Sequence, residues 1–547
     1  MKRIIIPVKA ITILSALFIA VSPLCAQITE DGPTLQIGEN IAVADTEYGK
    51  VKGYISHGVH TFLGVPYGAE TSGKNRFLPP QKPEKWQGIR PTVFYGNSAP
   101  QDVYSRASTS YDMFVDHWNY DEISENCLSL NIWTKGIADR KKRPVIVWLH
   151  GGGFSRGNGI EQDGYHGENI AKYGDVVFCS INHRLGVFGF TDLSAFGEKY
   201  KNSGNAGLLD MVAALQWIHD NIENFGGDPG NVTIIGQSGG GAKICLLATM
   251  PQTKGLIHKG VSLSGSAIRA NNKDYSCELG KYIVEEAGLS ASEVDKLQDI
   301  PWDDYMKIAH RAAARLEKEK GGSGMQRGGF GPIGDGTYLP EGEFFNSSDS
   351  PDIPMLFCTT FHEWGIDRNN PVQEAMTRAA VIQELEKQYG AKASSIYDAY
   401  SRNFPKTKPF EVLVFIHSNR ISVVESAIAK KKQTSPVYMA WFGFEPPLFD
   451  GRIRAFHCLD ISFWFLNTDL MASHSGGGAR PRELSAKMAD ALLSFARTGD
   501  PNCPSLPHWP QFTAEKGETM ILNDVCVVQD DPDKEGRTAI SNSSHKK

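Results

Sequence analysis

A serine flanked by glycines, in residues 236–240 (GQSGG), is the segment whose residue types point most directly to chemistry. The residues before it, 232–235 (VTII), are apolar and mostly β-branched, and residues 242–250 have a helical composition. A serine on a sharp strand-to-helix turn presents its hydroxyl outward, and glycine neighbours allow close approach. The segment therefore predicts Ser238 as a nucleophile for acyl transfer.

The pattern needs its context, because the chain has 55 glycines in 547 residues and a second match occurs at residues 153–157 (GFSRG). This match also follows an apolar strand, residues 145–149. It then runs into the polar, glycine-rich segment 158–167, which has no helical pattern. We therefore predict that Ser238 is the nucleophile and that Ser155 is a nearby loop residue.

An activated serine also needs a base, an acid that orients the base, and N–H donors for the oxyanion. Residues 150–153 (HGGG) are typical of a loop whose backbone N–H groups converge on one point, although an ordinary flexible turn is the alternative. The acid and then a histidine are expected after Ser238. Spacing alone does not choose among the histidines there: His258, His310, His362, His417, His457, His474, His508 and His545.

Predicted strands alternate with predicted helices along most of the chain. The strands are residues 127–133, 143–149, 176–182, 232–235, 260–265, 355–360 and 437–444, and the clearest helix is 208–223. This alternation indicates an α/β fold with a mostly parallel sheet and helices on both faces. The helix-rich segments 275–315 and 377–401 are expected to form a cap over the site.

The first 26 residues differ from the rest of the chain. A basic start is followed by an apolar run at residues 11–21, which predicts a signal peptide cleaved after Ala26 and a secreted or periplasmic protein. An uncleaved membrane anchor is the alternative, but the run is short for a span, and no later segment is apolar enough. Residues 27–530 are predicted to be one domain, and residues 531–547 a polar, frayed tail.

Composition excludes several classes of function. The formal charge is −6 without a basic stripe, so nucleic-acid binding is not expected. The nine cysteines include no C-x-x-C pair, and no H-E-x-x-H sequence occurs. We therefore expect no metal site and no cofactor.

Four segments resemble the type-B carboxylesterase and cholinesterase family of α/β-hydrolases. They are residues 124–133 (SENCLSLNIW), 225–241 (FGGDPGNVTIIGQSGGG), 331–336 (GPIGDG) and 495–502 (FARTGDPN). The likeness extends over nearly all of the chain after residue 26. It implies an α/β-hydrolase fold with helical cap insertions, and a serine carboxylesterase acting on a small-molecule ester.

The resemblance also assigns roles to individual residues. Residues 355–363 resemble the strand and loop that carry the family's catalytic acid, which implies Glu363. Residues 455–461 resemble the loop that carries its histidine, which implies His457. Gly152, Gly153 and Gly239 stand where the family has its three oxyanion-hole N–H groups, which implies that role for them.

Three positions bear on the substrate. Trp118 resembles the tryptophan that binds quaternary ammonium groups in cholinesterases, but Gln237 replaces the glutamate that precedes their nucleophile. A packing or gorge-lining role for Trp118 is the alternative. Phe330 lies where the family builds its acyl pocket, and the glycines before it indicate an open wall or a simple surface loop.

Other differences concern the framework. Ala99 stands where many members have the cysteine that pairs with the one at Cys127, so Cys127 is expected to be a free thiol. Gly239 replaces the usual alanine but keeps its N–H. The resemblance also suggests two structural ion pairs: Glu125 with Arg76, and Asp210 with Arg184.

The sequence is compatible with three functions. The first is a general serine carboxylesterase, and the second is an esterase specialised for one bulky aromatic, polycarboxylate or lipid ester. The third is a non-catalytic binding or adhesion protein, which the presence of Ser238, Glu363 and His457 disfavours. The sequence leaves the acyl and alcohol preference and the oligomeric state open.

Overall fold

The computed structural model describes residues 33–102, 122–321, 329–364 and 371–544. The predicted signal peptide and Trp118 lie outside these ranges. The strands are β1 (Leu35–Gln36), β2 (Val43–Thr46), β3 (Gly49–Lys52), β4 (Tyr54–Ser56), β5 (Val59–Pro66), β6 (Ile89–Pro91), β7 (Ser129–Thr134), β8 (Arg143–Leu149), β9 (Val177–Ile181), β10 (Gly227–Gln237), β11 (Lys259–Leu263), β12 (Met355–Thr360), β13 (Val437–Phe442), β14 (Glu518–Leu522) and β15 (Val527–Asp530).

The α-helices lie between these strands, or after them, in the order of the chain. They are α1 (Glu168–Gly174), α2 (Gly186–Gly189), α3 (Ala206–Asn221), α4 (Gly239–Leu247), α5 (Lys273–Glu286), α6 (Trp302–Lys320), α7 (Pro371–Glu374), α8 (Arg378–Tyr389), α9 (Ala393–Asn403), α10 (Pro409–His417), α11 (Arg420–Lys430), α12 (Ile461–Trp464), α13 (Ala472–Ser475), α14 (Ala479–Thr498) and α15 (Lys534–Ser544).

Within the described residues, twelve strands form one sheet in the order β1-β4-β5-β7-β9-β8-β10-β11-β12-β13-β14-β15. The seven strands from β9 to β14 run parallel, and antiparallel strands flank them on both edges. The parallel strands are buried along nearly their whole length, as expected for a sheet covered on both faces. The predicted α/β architecture is confirmed.

The strand before Ser238 is longer than the sequence indicated. The apolar run covers only residues 232–235, but β10 begins at Gly227, which pairs with Arg143 of β8. The register shifts between Gly227 and Val232, so the intervening glycine- and proline-containing segment is an irregular extension of the strand. Such residues are typical of a turn when read from sequence alone.

The predicted frayed tail differs from the structure, which places α15 against α9 and α10. Ile540 is buried in a small apolar cluster with residues of those helices. Just before the helix, the buried Asp533 carboxylate lies 3.4 Å from Nε of Arg420. Because most of the segment is polar, its single buried apolar side gave too weak a signal to be recognised.

Both ion pairs suggested by the resemblance are present. The guanidinium of Arg76 binds Glu125 at 2.6 Å, and that of Arg184 binds Asp210 at 2.6 Å. The Arg184 and Asp210 side chains are only 1% and 0% exposed. Each pair joins segments far apart in sequence within the core.

Replacing one partner of such a pair leaves an unpaired buried charge, which costs about 3–5 kcal/mol. We expect Asp210→Asn to lower the free energy of unfolding by this amount in urea denaturation. The matched control is Asp469→Asn, because Asp469 binds Arg482 at 2.8 Å on the surface, where such pairs contribute less than about 1 kcal/mol. Equal stability of the two variants would contradict the assignment of Asp210 to the core framework.

The eight cysteines of the described residues are free thiols, and burial raises the pKa of the Cys127 thiol above its usual value.

No single helix in the described ranges is both long and apolar enough to cross a membrane. Only α10 and α11 taken together, bent by 41°, meet the length and composition criteria.

Candidate active site

Ser238 lies on the sharp turn between β10 and α4. Its backbone has φ 58° and ψ −122°, an unusual conformation for a residue with a side chain. The Ser238 N–H donates to the carbonyl of Leu263 at 2.8 Å, which holds the turn against β11. The predicted strand-to-helix turn is present, and the strained backbone is typical of a serine presented to a crevice.

The sheet topology places two loops beside this crevice. From β8 the chain crosses to β9 on one side and returns to β10 on the other, so the loops after β8 and β10 diverge. Ligands of open α/β sheets bind at such a reversal, outside the carboxyl ends of the strands. The glycine loop follows β8 and Ser238 follows β10.

The three glycines predicted to hold the oxyanion lie close together. Gly152 and Gly153 have φ angles of 75° and 61°, which favour glycine. A Cβ atom built on Gly239 would lie 2.5 Å from the backbone nitrogen of Gly153. The glycine loop therefore packs directly on the first residue of α4.

Ser155, from the second match to the serine pattern, occupies a different position. Its N–H and hydroxyl both contact the Gly152 carbonyl at 3.2 Å. Its segment forms turns and no helix. Ser155 is thus a residue of the glycine loop, as its sequence context predicted.

A buried lysine that the sequence analysis missed fixes this loop. Lys243, on α4, donates through Nζ to the carbonyl of His150 at 2.8 Å. Burial, followed by the charge of Lys243, holds the pKa of His150 well below its usual value, and the neutral ring stacks on His183. The sequence signal that could have identified this residue is a lysine within an otherwise apolar helix, α4.

Glu363 and His457 come together from two neighbouring strands. Glu363 follows β12, and the loop carrying His457 follows β13. His457 Nδ1 is hydrogen-bonded to Glu363 Oε2, and the His457 N–H donates to the Glu363 carbonyl at 2.8 Å. The Thr360 N–H donates to the other carboxylate oxygen at 3.0 Å. Both side chains are buried, so this acid–histidine pair is shielded from solvent.

Gln237 contacts this pair and does not line the adjacent cavity. Its amide Nε2 lies 3.1 Å from Nε2 of His457, and its Oε1 accepts from the Cys458 thiol at 3.2 Å. The amide can donate to Nε2 only when that nitrogen is unprotonated. The imidazole proton then lies on Nδ1, facing Glu363.

A cavity of about 620 Å³ opens beside Ser238. Phe330 lines it, as the sequence analysis expected, together with Phe154, Gly239 and Trp364. Polar side chains including Asn271 and Asn419 form other parts of its wall. Trp364 was not among the predicted site residues, because no pattern draws attention to a tryptophan after a glutamate.

One group of side chains in the described residues has metal-ligand chemistry. Ligand atoms of His362, Glu411 and Glu445 lie within 4.8 Å of one another. However, the guanidinium of Arg454 donates to Glu411 at 2.8 Å and lies 4.0 Å from Glu445. The Arg454 guanidinium therefore already supplies a positive charge to these carboxylates, and the group is an ion-pair cluster.

The sheet, the strained serine turn and the acid–histidine pair define an α/β-hydrolase. Residues 40–537 match the Carboxylesterase family, so the chain belongs to this family of carboxylic ester hydrolases.

Individual proteins similar to this chain support the family assignment. The chain is 32% identical over 504 residues to para-nitrobenzyl esterase of Bacillus subtilis, covering 90% of this chain and 97% of that protein. It is 31% identical over 494 residues to phenmedipham hydrolase of Pseudarthrobacter oxydans, covering 88% and 95%. A solved esterase of Clostridium hathewayi, described as able to hydrolyse aliphatic aromatic polyesters, superposes with a TM-score of 0.81. That structure is 32% identical, covering 92% of this chain and 99% of its own.

Proposed function

We propose that the protein hydrolyses carboxylic esters through an acyl-enzyme formed on Ser238, with His457 as general base and Glu363 as the acid that orients it. The backbone N–H groups of Gly152, Gly153 and Gly239 hold the oxyanion. The observation that carries the proposal is the buried hydrogen bond between Glu363 and His457 at the same sheet edge as the strained turn of Ser238.

The tautomer of His457 supports this assignment of roles. With the proton on Nδ1 and donated to Glu363, Nε2 is the nitrogen that takes the serine proton, and the Ser238 hydroxyl replaces the Gln237 amide as its hydrogen-bond partner when it does so. Thr360 binds the second oxygen of Glu363, so the carboxylate does not rotate away from the ring. Glu363 then stabilises the imidazolium as it forms.

The reaction proceeds in two stages. His457 takes the Ser238 proton as the oxygen attacks the ester carbonyl, and the tetrahedral oxyanion accepts hydrogen bonds from the three N–H groups. His457 next gives its proton to the leaving alcohol. Water then attacks the acyl-enzyme with His457 again acting as base, and Ser238 is released.

A fluorophosphonate probe tests this proposal directly, because it labels only an activated serine. We expect the wild-type protein to be labelled and Ser238→Ala to remain unlabelled. Ser155→Ala is the matched control, since it removes the serine of the other sequence match, and it should be labelled like the wild type. Mass spectrometry of the labelled peptide identifies the modified residue.

Two results would contradict the proposal. An unlabelled, folded wild-type protein would favour the non-catalytic binding alternative. Labelling that persists in Ser238→Ala would assign the nucleophile to another residue. Thermal unfolding of each variant shows that the comparison is made on folded protein.

A further inference from the structure

Trp364 stacks on the proposed base and also faces the cavity. It directly follows Glu363, and its indole ring lies 4.0 Å from the imidazole of His457, centroid to centroid, at an interplanar angle of 29°. It lines the 620 Å³ cavity together with Ser238. One residue therefore touches both the reacting histidine and the space that receives the substrate.

Trp364 is more exposed than the tryptophans of the core. The side chains of five other tryptophans are almost completely buried: Trp133, Trp148, Trp441, Trp464 and Trp509. Trp364 instead remains 42% exposed. Because Trp364 lines the cavity beside Ser238, this exposed fraction can contact a ligand that enters there.

The surroundings of Trp364 favour a planar ligand. Phe154 and Phe330 line the same cavity, and its lining also includes small residues such as Ala242 and Gly265. Aromatic rings bind one another by offset stacking or edge-to-face contact, geometries that a puckered aliphatic ring does not reproduce. The cavity volume lies within the range of sites that enclose small organic molecules.

We propose that Trp364 is a specificity-determining residue and that its exposed indole binds a planar aromatic group of the ester beside the carbonyl under attack. The preferred substrates are then aromatic esters, with the ring in either the acyl or the alcohol part. This inference rests on the proposed function, since it takes Ser238 as the attacking residue and His457 as its base.

Matched ester pairs test the inference. Phenyl acetate and cyclohexyl acetate differ in the planarity of the alcohol group. Methyl benzoate and methyl cyclohexanecarboxylate differ in the planarity of the acyl group. For each ester, kcat/KM is compared between wild type, Trp364→Ala and Trp364→Phe, so the intrinsic reactivity of the ester cancels. Phe94→Ala, which removes an exposed aromatic residue outside the cavity lining, is the control.

We expect Trp364→Ala to lose about tenfold in kcat/KM for the aromatic member of at least one pair, and less than about twofold for its cyclohexyl partner. Trp364→Phe should recover most of the loss, and Phe94→Ala should change neither value. The pair that responds identifies whether the ring lies on the acyl or the alcohol side.

Other outcomes overturn the inference. Equal losses for aromatic and cyclohexyl esters would mean that Trp364 only supports His457, and no loss would mean that it does not contact substrate. Both leave the proposed function intact as long as wild-type protein hydrolyses the esters and is labelled by fluorophosphonate. A wild-type protein that does neither would instead overturn the proposed function.

Discussion

Replacing His457 with alanine is expected to lower kcat for p-nitrophenyl acetate by about 10⁴- to 10⁶-fold, while KM changes little. In the proposed mechanism no other group takes the Ser238 proton, and the rate enhancement that remains comes from the oxyanion donors and from binding. Glu363→Gln is expected to lose less, about 10⁴-fold, because the base remains but its tautomer is no longer fixed. Steady-state kinetics on both variants gives the two values.

Replacing His457 with alanine also leaves the Glu363 carboxylate buried without the imidazole ring that it binds. Thermal unfolding must therefore show that the alanine variant is folded at the assay temperature. His508→Ala is the matched control, because His508 is exposed and lies on a loop. It should keep wild-type kcat. A folded His457→Ala protein retaining more than about a tenth of wild-type kcat would remove His457 from the mechanism.

Gly239→Ala is expected to lower kcat by about 10²- to 10³-fold, as for loss of one oxyanion donor. The added methyl carbon would lie 2.5 Å from the nitrogen of Gly153 and 2.6 Å from its Cα, so the glycine loop must move. That movement would take the Gly153 N–H away from the proposed position of the oxyanion.

The control for this substitution is Gly342→Ala. A Cβ on Gly342 meets no atom within 4 Å, and its backbone needs no positive φ. Its kcat should therefore equal that of the wild type. If Gly239→Ala kept full kcat, the loop would have room to adjust, and the close packing on α4 would have no part in catalysis.

The sequence predicted the central strands well, because a buried parallel strand is a short, continuous apolar run. Residues 143–149 and 355–360 were predicted with the observed bounds of β8 and β12. The helix predicted at residues 208–223 corresponds to α3, which begins two residues earlier. Signals of this kind are local, so neighbouring residues suffice to read them.

The site required information that is not local. The residues alone left eight histidines open, and only family resemblance selected His457, which the structure places against Glu363. Lys243 and Trp364 were missed because their importance depends on which atoms they meet after folding. Gln237 was expected in the substrate pocket, but its side chain turns toward His457 and Cys458.

The docked C-terminal helix has a consequence for the cavity. Asp533 lies against Arg420, and the preceding residue, Asn419, lines the cavity and donates to the Ser264 carbonyl at 2.6 Å. Helix α15 is thus connected to the wall of the cavity through Asp533, Arg420 and Asn419. Cleavage by a protease just after β15 would therefore remove a contact made next to the cavity wall as well as a surface helix.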